Sequence, residues 1–239
     1  MTLILKANSP IHQSTNSPIH QFTNCSVTTH SNPSARNSQN STIVMIRPEV
    51  LIAAYSSGWF PMAVDAGEIR WYSPDPRGII PLDRFHVPAR LSRVIRAGAF
   101  QIERDRAFDA VIRACAESDR RDDDPGTWID REIIDSYGEL HRLGFAHSVE
   151  AWQEGRLVGG LYGVALGGAF FGESMFHRAT NASKVALAAL VEHLRARDFR
   201  LLDIQWVTPH LEQFGAVEIP RAAYLERLKD ALSIEAVFD

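Results

Sequence analysis

Cysteine is almost absent from this 239-residue sequence, with Cys25 and Cys115 the only two. Neither has a Cys or His nearby at metal-ligand spacing, which argues against a disulfide framework and against a zinc site. An excess of one charge is missing too: 25 basic residues stand against 29 acidic ones. No overall positive field advertises nucleic-acid binding, so any such contact has to come from a local patch. No apolar run is long enough for a membrane. The least polar segment, Leu157 to Gly172, is uncharged but contains six glycines and falls short of the roughly 20 residues that span a bilayer. The start Met1-Thr2-Leu3-Ile4-Leu5 is too short for the apolar core of a signal peptide. A cytoplasmic protein with no membrane association is expected.

Acidic residues are missing altogether from residues 1–44, where 20 of the 44 positions are Ser, Thr or Asn. Such a composition cannot bury enough apolar surface to offset chain entropy, and disorder is expected there. An eight-residue unit beginning Ser9-Pro10-Ile11-His12 recurs at Ser17-Pro18-Ile19-His20, too short and too few for a solenoid. These residues read as translated upstream DNA or as a flexible tail, with folding expected to begin at Met45.

From Met45 the pattern changes. A short helix opens at Arg47-Pro48-Glu49 and ends at Gly58, Trp59-Phe60-Pro61-Met62 breaks it, and 69–73 reads as a strand. Pro74-Asp75-Pro76-Arg77-Gly78 is turn chemistry. A helix from Pro88 to Gly98 places Leu91, Val94 and Ile95 inward and Arg90, Arg93 and Arg96 on another face. Helices follow at 108–117 and 130–143, then three strands at 147–152, 157–166 and 169–176. A helix at 181–197, a strand at 201–207, a short helix at 209–214, a strand at 217–219 and a helix at 221–232 complete the chain. The fold class is α+β. A small mixed amino-terminal domain over 45–100 and a catalytic domain over 101–239 are expected.

A strand meander, a crossing helix and a further strand resemble the acetyltransferase superfamily. Those enzymes cradle the pyrophosphate of coenzyme A on a glycine-rich turn. The corresponding turn here, Arg178-Ala179-Thr180-Asn181-Ala182-Ser183, has no glycine, so coenzyme A is not expected. What stands out instead is polarity inside apolar strands: Glu173 in the run Phe170 to Phe176, and Asp203 and Gln205 in the strand after it. An unpaired polar group there costs roughly 1–3 kcal/mol, and a binding site is what would offset it. Being two apart on a strand, Asp203 and Gln205 face the same side.

Taken together, Trp71-Tyr72-Ser73-Pro74-Asp75-Pro76-Arg77, Thr127-Trp128-Ile129, His147-Ser148-Val149-Glu150, Gly172-Glu173-Ser174-Met175-Phe176, Asn181-Ala182-Ser183-Lys184 and Phe214-Gly215-Ala216 resemble the leucyl/phenylalanyl-tRNA protein transferase family. The likeness runs in order through residues 45–228. It implies an acetyltransferase-like second domain and transfer of Leu, Phe or Met from aminoacyl-tRNA to proteins beginning with Arg or Lys, marking them for degradation, with no cofactor and no metal. It also implies that Gln205 takes the attacking amine's proton with Asp203 behind it; because a neutral carboxamide is a very poor base, Gln205 is instead expected to orient the amine and Asp203 to hold or relay the proton, with Glu173 attracting the cationic acceptor. The donor's side chain would sit among Leu161, Phe170, Met175, Leu190, Leu194 and Leu202; other members of the family place aromatic residues at Leu190 and Leu194, so the aliphatic residues here are expected to favour Leu over Phe. Tyr55 and Trp128 would hold the terminal adenosine, and Tyr137 would also contribute to substrate binding. His147 and His177 have no Ser or Cys partner and read as structural.

Residues 84–121 carry nine arginines against five acids. Arg90, Arg93 and Arg96 could line tRNA phosphates or simply face solvent. Two other readings remain at this point: a coenzyme A-dependent acetyltransferase, disfavoured by the turn without glycine, and a noncatalytic tRNA-binding module, disfavoured by the polar triad in apolar strands.

Overall fold

The computed structural model describes residues 45–64, 68–119 and 127–239. The expectations for residues 1–44 lie outside the described residues. Helix α1 (Pro48–Ser56) starts with proline at its first position, where a missing N–H costs nothing, and with Glu49 at the positive end of its dipole. Strands β1 (Phe60–Ala63) and β2 (Ile69–Tyr72) form a small antiparallel ribbon. Then come β3 (Arg77–Ile80), a 3₁₀ turn at Leu82–Arg84, α2 (Ala89–Arg96), β4 (Gln101–Arg104), α3 (Phe108–Asp119) and α4 (Arg131–Arg142). The Asp130 carboxylate caps α4 by accepting from the Ile133 N–H at 2.9 Å.

The meander β5 (Ala146–Gln153), β6 (Arg156–Leu166) and β7 (Ala169–His177) is followed by α5 (Ala182–Ala196), β8 (Leu201–Gln205), α6 (Pro209–Glu212), β9 (Val217–Ile219) and α7 (Arg221–Leu232). Seven strands form one sheet in the order β4-β5-β6-β7-β8-β3-β9. Every neighbouring pair is antiparallel except β7 and β8. A parallel pair needs a crossover, and α5 supplies it.

Two apolar clusters lie on the two faces of this sheet. One gathers Leu51 and Tyr55 of α1, Val111 and Ile112 of α3, Ile133 and Tyr137 of α4, and Tyr224 of α7. The other gathers Leu187, Leu190, Val191 and Leu194 of α5 with Leu91 of α2 and Phe238 near the chain end. Each such aliphatic side chain, fully buried, contributes about 1.5–3 kcal/mol.

Three strands differ from the sequence expectation. β1 forms where Pro61 was read as a break, β4 was not foreseen, and β3 emerges from what looked like turn chemistry. Because β3 sits between β8 and β9 in the large sheet, the division expected at residue 100 cuts through one sheet. Ile95, expected on the buried side of α2, is 39% exposed; the helix is only eight residues long and Leu91 alone anchors it fully.

Candidate active site

Pairing between β7 and β8 ends at Phe171↔Asp203, although β7 runs on to His177 and β8 to Gln205. Beyond that point the strands part, and the polar residues found in the sequence stand at the fork. A bulge aims them. On β6, Tyr162 pairs with Ser174 and the next residue, Gly163, pairs with Gly172, which leaves Glu173 as the extra residue of β7. Bulges recur beside active sites because they redirect one side chain. Gly163 makes room for this one: a Cβ there would lie 2.2 Å from the Phe171 carbonyl oxygen and 2.5 Å from the Phe170 ring.

Glu173 is 2% exposed. Tyr55 donates its hydroxyl to Oε1 at 2.8 Å, Tyr137 donates to Oε2 at 3.4 Å, and the Gln205 amide approaches Oε1 at 3.5 Å. The two tyrosine hydroxyls also hydrogen-bond each other. Burial pushes the Glu173 carboxyl up to about 8; the Tyr55 hydrogen bond opposes the rise, and the negative charge of Asp203 adds to it. Burial and the neighbouring Glu173 likewise raise both phenols well above their ordinary range, so they remain hydrogen-bond donors. This carboxyl is therefore able to gain and lose a proton close to neutrality.

Asp203, fully buried, has different company. Its Oδ1 accepts from Arg77 Nε and from the Gln205 backbone N–H, each at 2.9 Å, and its Oδ2 accepts from Arg77 Nη2 at 2.6 Å and Tyr224 at 2.7 Å. Arg77 is itself fully buried. Its third nitrogen donates to the Gly58 carbonyl at 3.1 Å, and its guanidinium lies over the rings of Tyr224, 4.5 Å away, and Phe60, 5.0 Å away. Gly78, next to Arg77, pairs with Gln205 so closely that a Cβ would meet the Trp206 carbonyl carbon at 2.7 Å. The expectation that Asp203 holds or relays a proton does not fit this setting: both oxygens are occupied and their charge is matched by a bidentate arginine. Asp203 instead fixes the end of β8, where Gln205 takes a left-handed backbone conformation at φ 57°.

On the opposite face of the fork a narrow pocket is lined by Leu161, Ser174, Met175, Leu190, Leu202 and Leu211, among others. Four of the six expected pocket residues are thus brought together. Phe170 and Leu194 are buried behind it, with Phe170 packed on Phe238 at 5.4 Å between ring centres. Tyr55 is not a surface for a base, because its ring is wholly buried and its hydroxyl is committed to Glu173. Trp128 is also buried and offers no open face here. Tyr137 was expected to bind substrate; it reaches the site as the second donor to Glu173. Arg77 and Tyr224 were missed altogether.

Arg90, Arg93 and Arg96 are exposed on α2, without ion-pair partners among the described residues. His147 is structural, its Nδ1 2.7 Å from Asp105 and its ring 4.2 Å from that of Phe238, while His177 is exposed at the end of β7. Asp105, His147 and Asp239 bring potential ligand atoms within 4.8 Å of one another, a juxtaposition that sequence spacing did not reveal; the Asp105–His147 hydrogen bond accounts for its core.

A narrow apolar pocket at a fork in the sheet, with a buried carboxyl pushed up to about 8, is an arrangement suited to group-transfer chemistry. The comparisons narrow this. Residues 79–229 match the model of the leucyl/phenylalanyl-tRNA protein transferase family, and residues 45–75 match its N-terminal domain. The chain is 58% identical over 193 residues to a leucyl/phenylalanyl-tRNA–protein transferase of Paramagnetospirillum magneticum, covering 80% of this chain and 91% of that protein. It is 54% identical over 189 residues to the enzyme of the same name from Akkermansia muciniphila, covering 78% and 96%. A solved structure described as that of L-PGS from Bacillus licheniformis matches with a TM-score of 0.36 at 13% identity, over 67% of this chain and 50% of that one, too distant to bear on function. The chain belongs to the leucyl/phenylalanyl-tRNA protein transferase family and is an aminoacyltransferase.

Proposed function

We propose that the chain moves Leu, and also Phe and Met, from aminoacyl-tRNA to the amino-terminal Arg or Lys of acceptor proteins, marking them for degradation. The observation that carries this reading is the placement of Glu173: a buried acid at the β7–β8 fork, with a narrow apolar pocket beside the fork. The reaction is ester aminolysis. The acceptor amine forms a C–N bond to the donor carbonyl carbon, the ester C–O bond to the terminal ribose breaks, and the ribose oxygen takes up a proton. The amine must lose one.

Glu173 is the group suited to receive it. Its pKa of about 8 matches the roughly 7.7–8.0 of a free α-amine, the condition under which proton transfer is most effective. Once ionised it also attracts a cationic acceptor, since Asp203 is already neutralised by Arg77. Gln205, a neutral carboxamide, orients the amine, and Asp203 holds Gln205 in place. The slot around Leu161, Met175, Leu190 and Leu202 takes the donor side chain and favours Leu over Phe; a difference of a few methylenes is worth only about 1–3 kcal/mol, so a preference results and not exclusion.

Exposed Arg90, Arg93 and Arg96 contact tRNA phosphates, which carry no base information, so recognition is independent of most of the tRNA sequence. An acetyltransferase-like domain ending in the fork is the fold that goes with this activity, and the cytoplasm, where charged tRNA is available, is the compartment. No helix among the described residues is long and apolar enough to cross a membrane. The decisive experiment incubates the protein with radiolabelled Leu-tRNA and a peptide beginning with Arg, with labelled acetyl coenzyme A as the rival donor. Label is expected on the peptide from Leu-tRNA only; label from acetyl coenzyme A alone would overturn the reading.

A further inference from the structure

The residue after the catalytic bulge has no explanation in the fold. Ser174 is 1% exposed, it lines the apolar slot, and its hydroxyl has no hydrogen-bond partner. Buried hydroxyls are paired in the great majority of structures, and each orphan is a place to look for a ligand. Ser174 is not on an edge where water would serve. It is a β7 residue opposite Tyr162, on the face of the sheet that also carries the bulged Glu173, while the next pair, Leu161 and Met175, faces the slot. It therefore stands at the boundary between the apolar slot and the reacting centre.

Resting on the function proposed above, we infer that Ser174 positions the aminoacyl donor by accepting a hydrogen bond from the donor's α-amino group. The donor's chemistry singles out this group. Its side chain fills the slot and its ester carbonyl faces the incoming amine at Glu173 and Gln205. The polar group attached to the carbon between them is the α-amine, a donor, and a serine hydroxyl can accept from it while remaining free to rotate. The same contact would distinguish an aminoacyl ester from a simple fatty acyl ester of similar shape.

The test compares two donors and two proteins, with a peptide beginning with Arg as acceptor. The donors are Leu-tRNA and tRNA charged with 4-methylpentanoate, which has the carbon skeleton of leucine without its amine. Wild type is expected to prefer Leu-tRNA in kcat/KM by about tenfold, the worth of one good hydrogen bond. Ser174→Ala is expected to lose most of that preference, chiefly through a higher KM for Leu-tRNA, so that the two donors are transferred with similar kcat/KM. Its melting temperature should be no lower than wild type, because the hydroxyl removed satisfies nothing in the folded chain. An equal preference in the two proteins, with Leu transferred normally, would overturn the assignment of Ser174 alone. Failure of wild type to transfer Leu at all would overturn it together with the proposed function.

Discussion

Two carboxylates are buried on neighbouring strands, Glu173 on β7 and Asp203 on β8, and their surroundings could hardly differ more. Asp203 meets a guanidinium in bidentate contact, a phenol and a backbone N–H. Glu173 meets two phenols and a carboxamide, all neutral. Equal burial thus yields unlike acids. A matched cation makes one a structural anchor, whereas neutral donors compensate only part of the desolvation of the other and leave its carboxyl pushed up to about 8. The part played by each residue follows from its partners, not from its depth.

The largest effect should come from breaking the anchor. Arg77→Met leaves Asp203 buried without its counter-charge, and unfolding by urea should show a loss of about 3–5 kcal/mol. Adding Asp203→Leu should recover much of it, since the orphaned charge is then gone. No recovery would mean that the pair organises the backbone in a way charge bookkeeping misses.

Glu173→Gln comes next and tests the poised acid. A carboxyl whose folded pKa is about 8 against an ordinary 4.5 holds a proton in the folded protein that the unfolded chain has released. Wild type should therefore lose stability as pH climbs from about 4.5 through about 8, by an amount on the order of a few kcal/mol, and lose no more above that. The glutamine variant, which cannot titrate, should lack this slope, so the two proteins should converge in acid and diverge in base, with the variant the more stable at pH 9. A gap independent of pH would sink the contrast between the two acids. Transfer should fall at least about tenfold in the same variant, or 1.4 kcal/mol of transition-state stabilisation.

Tyr55→Phe removes one donor from Glu173 and sharpens the comparison more gently. Its cost in stability should be about 0.5–1.5 kcal/mol. Losing a bond that favours the carboxylate should move the rising limb of the pH–rate profile to higher pH. A limb that moves down would reverse the assigned direction of the hydrogen bond's influence. The smallest effect on either acid is expected from replacing Arg90, Arg93 and Arg96 together with Ala. Stability and its pH dependence should be unchanged, while the salt dependence of donor binding flattens by up to about one unit of slope per lost phosphate contact. An unaltered slope would place the tRNA elsewhere.

Much of this was legible in the sequence, for identifiable reasons. The β5–β6–β7 meander, α5, β9 and α7 appear within a residue or two of where periodicity put them, because each is long or sharply bounded by Gly or Pro. Glu173, Asp203 and Gln205 were conspicuous as polar residues in apolar strands. Arg77 was not, since it follows Pro74-Asp75-Pro76 and reads as part of a solvated turn. What buries it is Asp203, 126 positions away, and Tyr224, 147 away, and no local pattern reports such a partnership. The four buried residues of β3 show no alternation to detect. Tyr55 was read as a stacking surface because an aromatic ring announces its face more readily than its hydroxyl. Phe170 and Leu194 were grouped with the donor slot because spacing shows which residues share a side of an element, but not which of them reaches the opening.

The supernumerary position of Glu173 has an evolutionary side. Upstream of it, β7 sends Phe171 to one side of the sheet and Phe170 to the other; downstream, Phe176 joins Phe171 and Met175 joins Phe170. Strict alternation would have reversed the second pair. Excising this one codon would delete the carboxylate yet leave Ser174 opposite Tyr162 and Gly172 opposite Gly163 in regular alternation, with Met175 still on the slot side and Phe176 on the other. The acid is therefore an insertion that the sheet absorbs without disturbing the slot, and a descendant that lost it would keep the slot while losing the carboxylate.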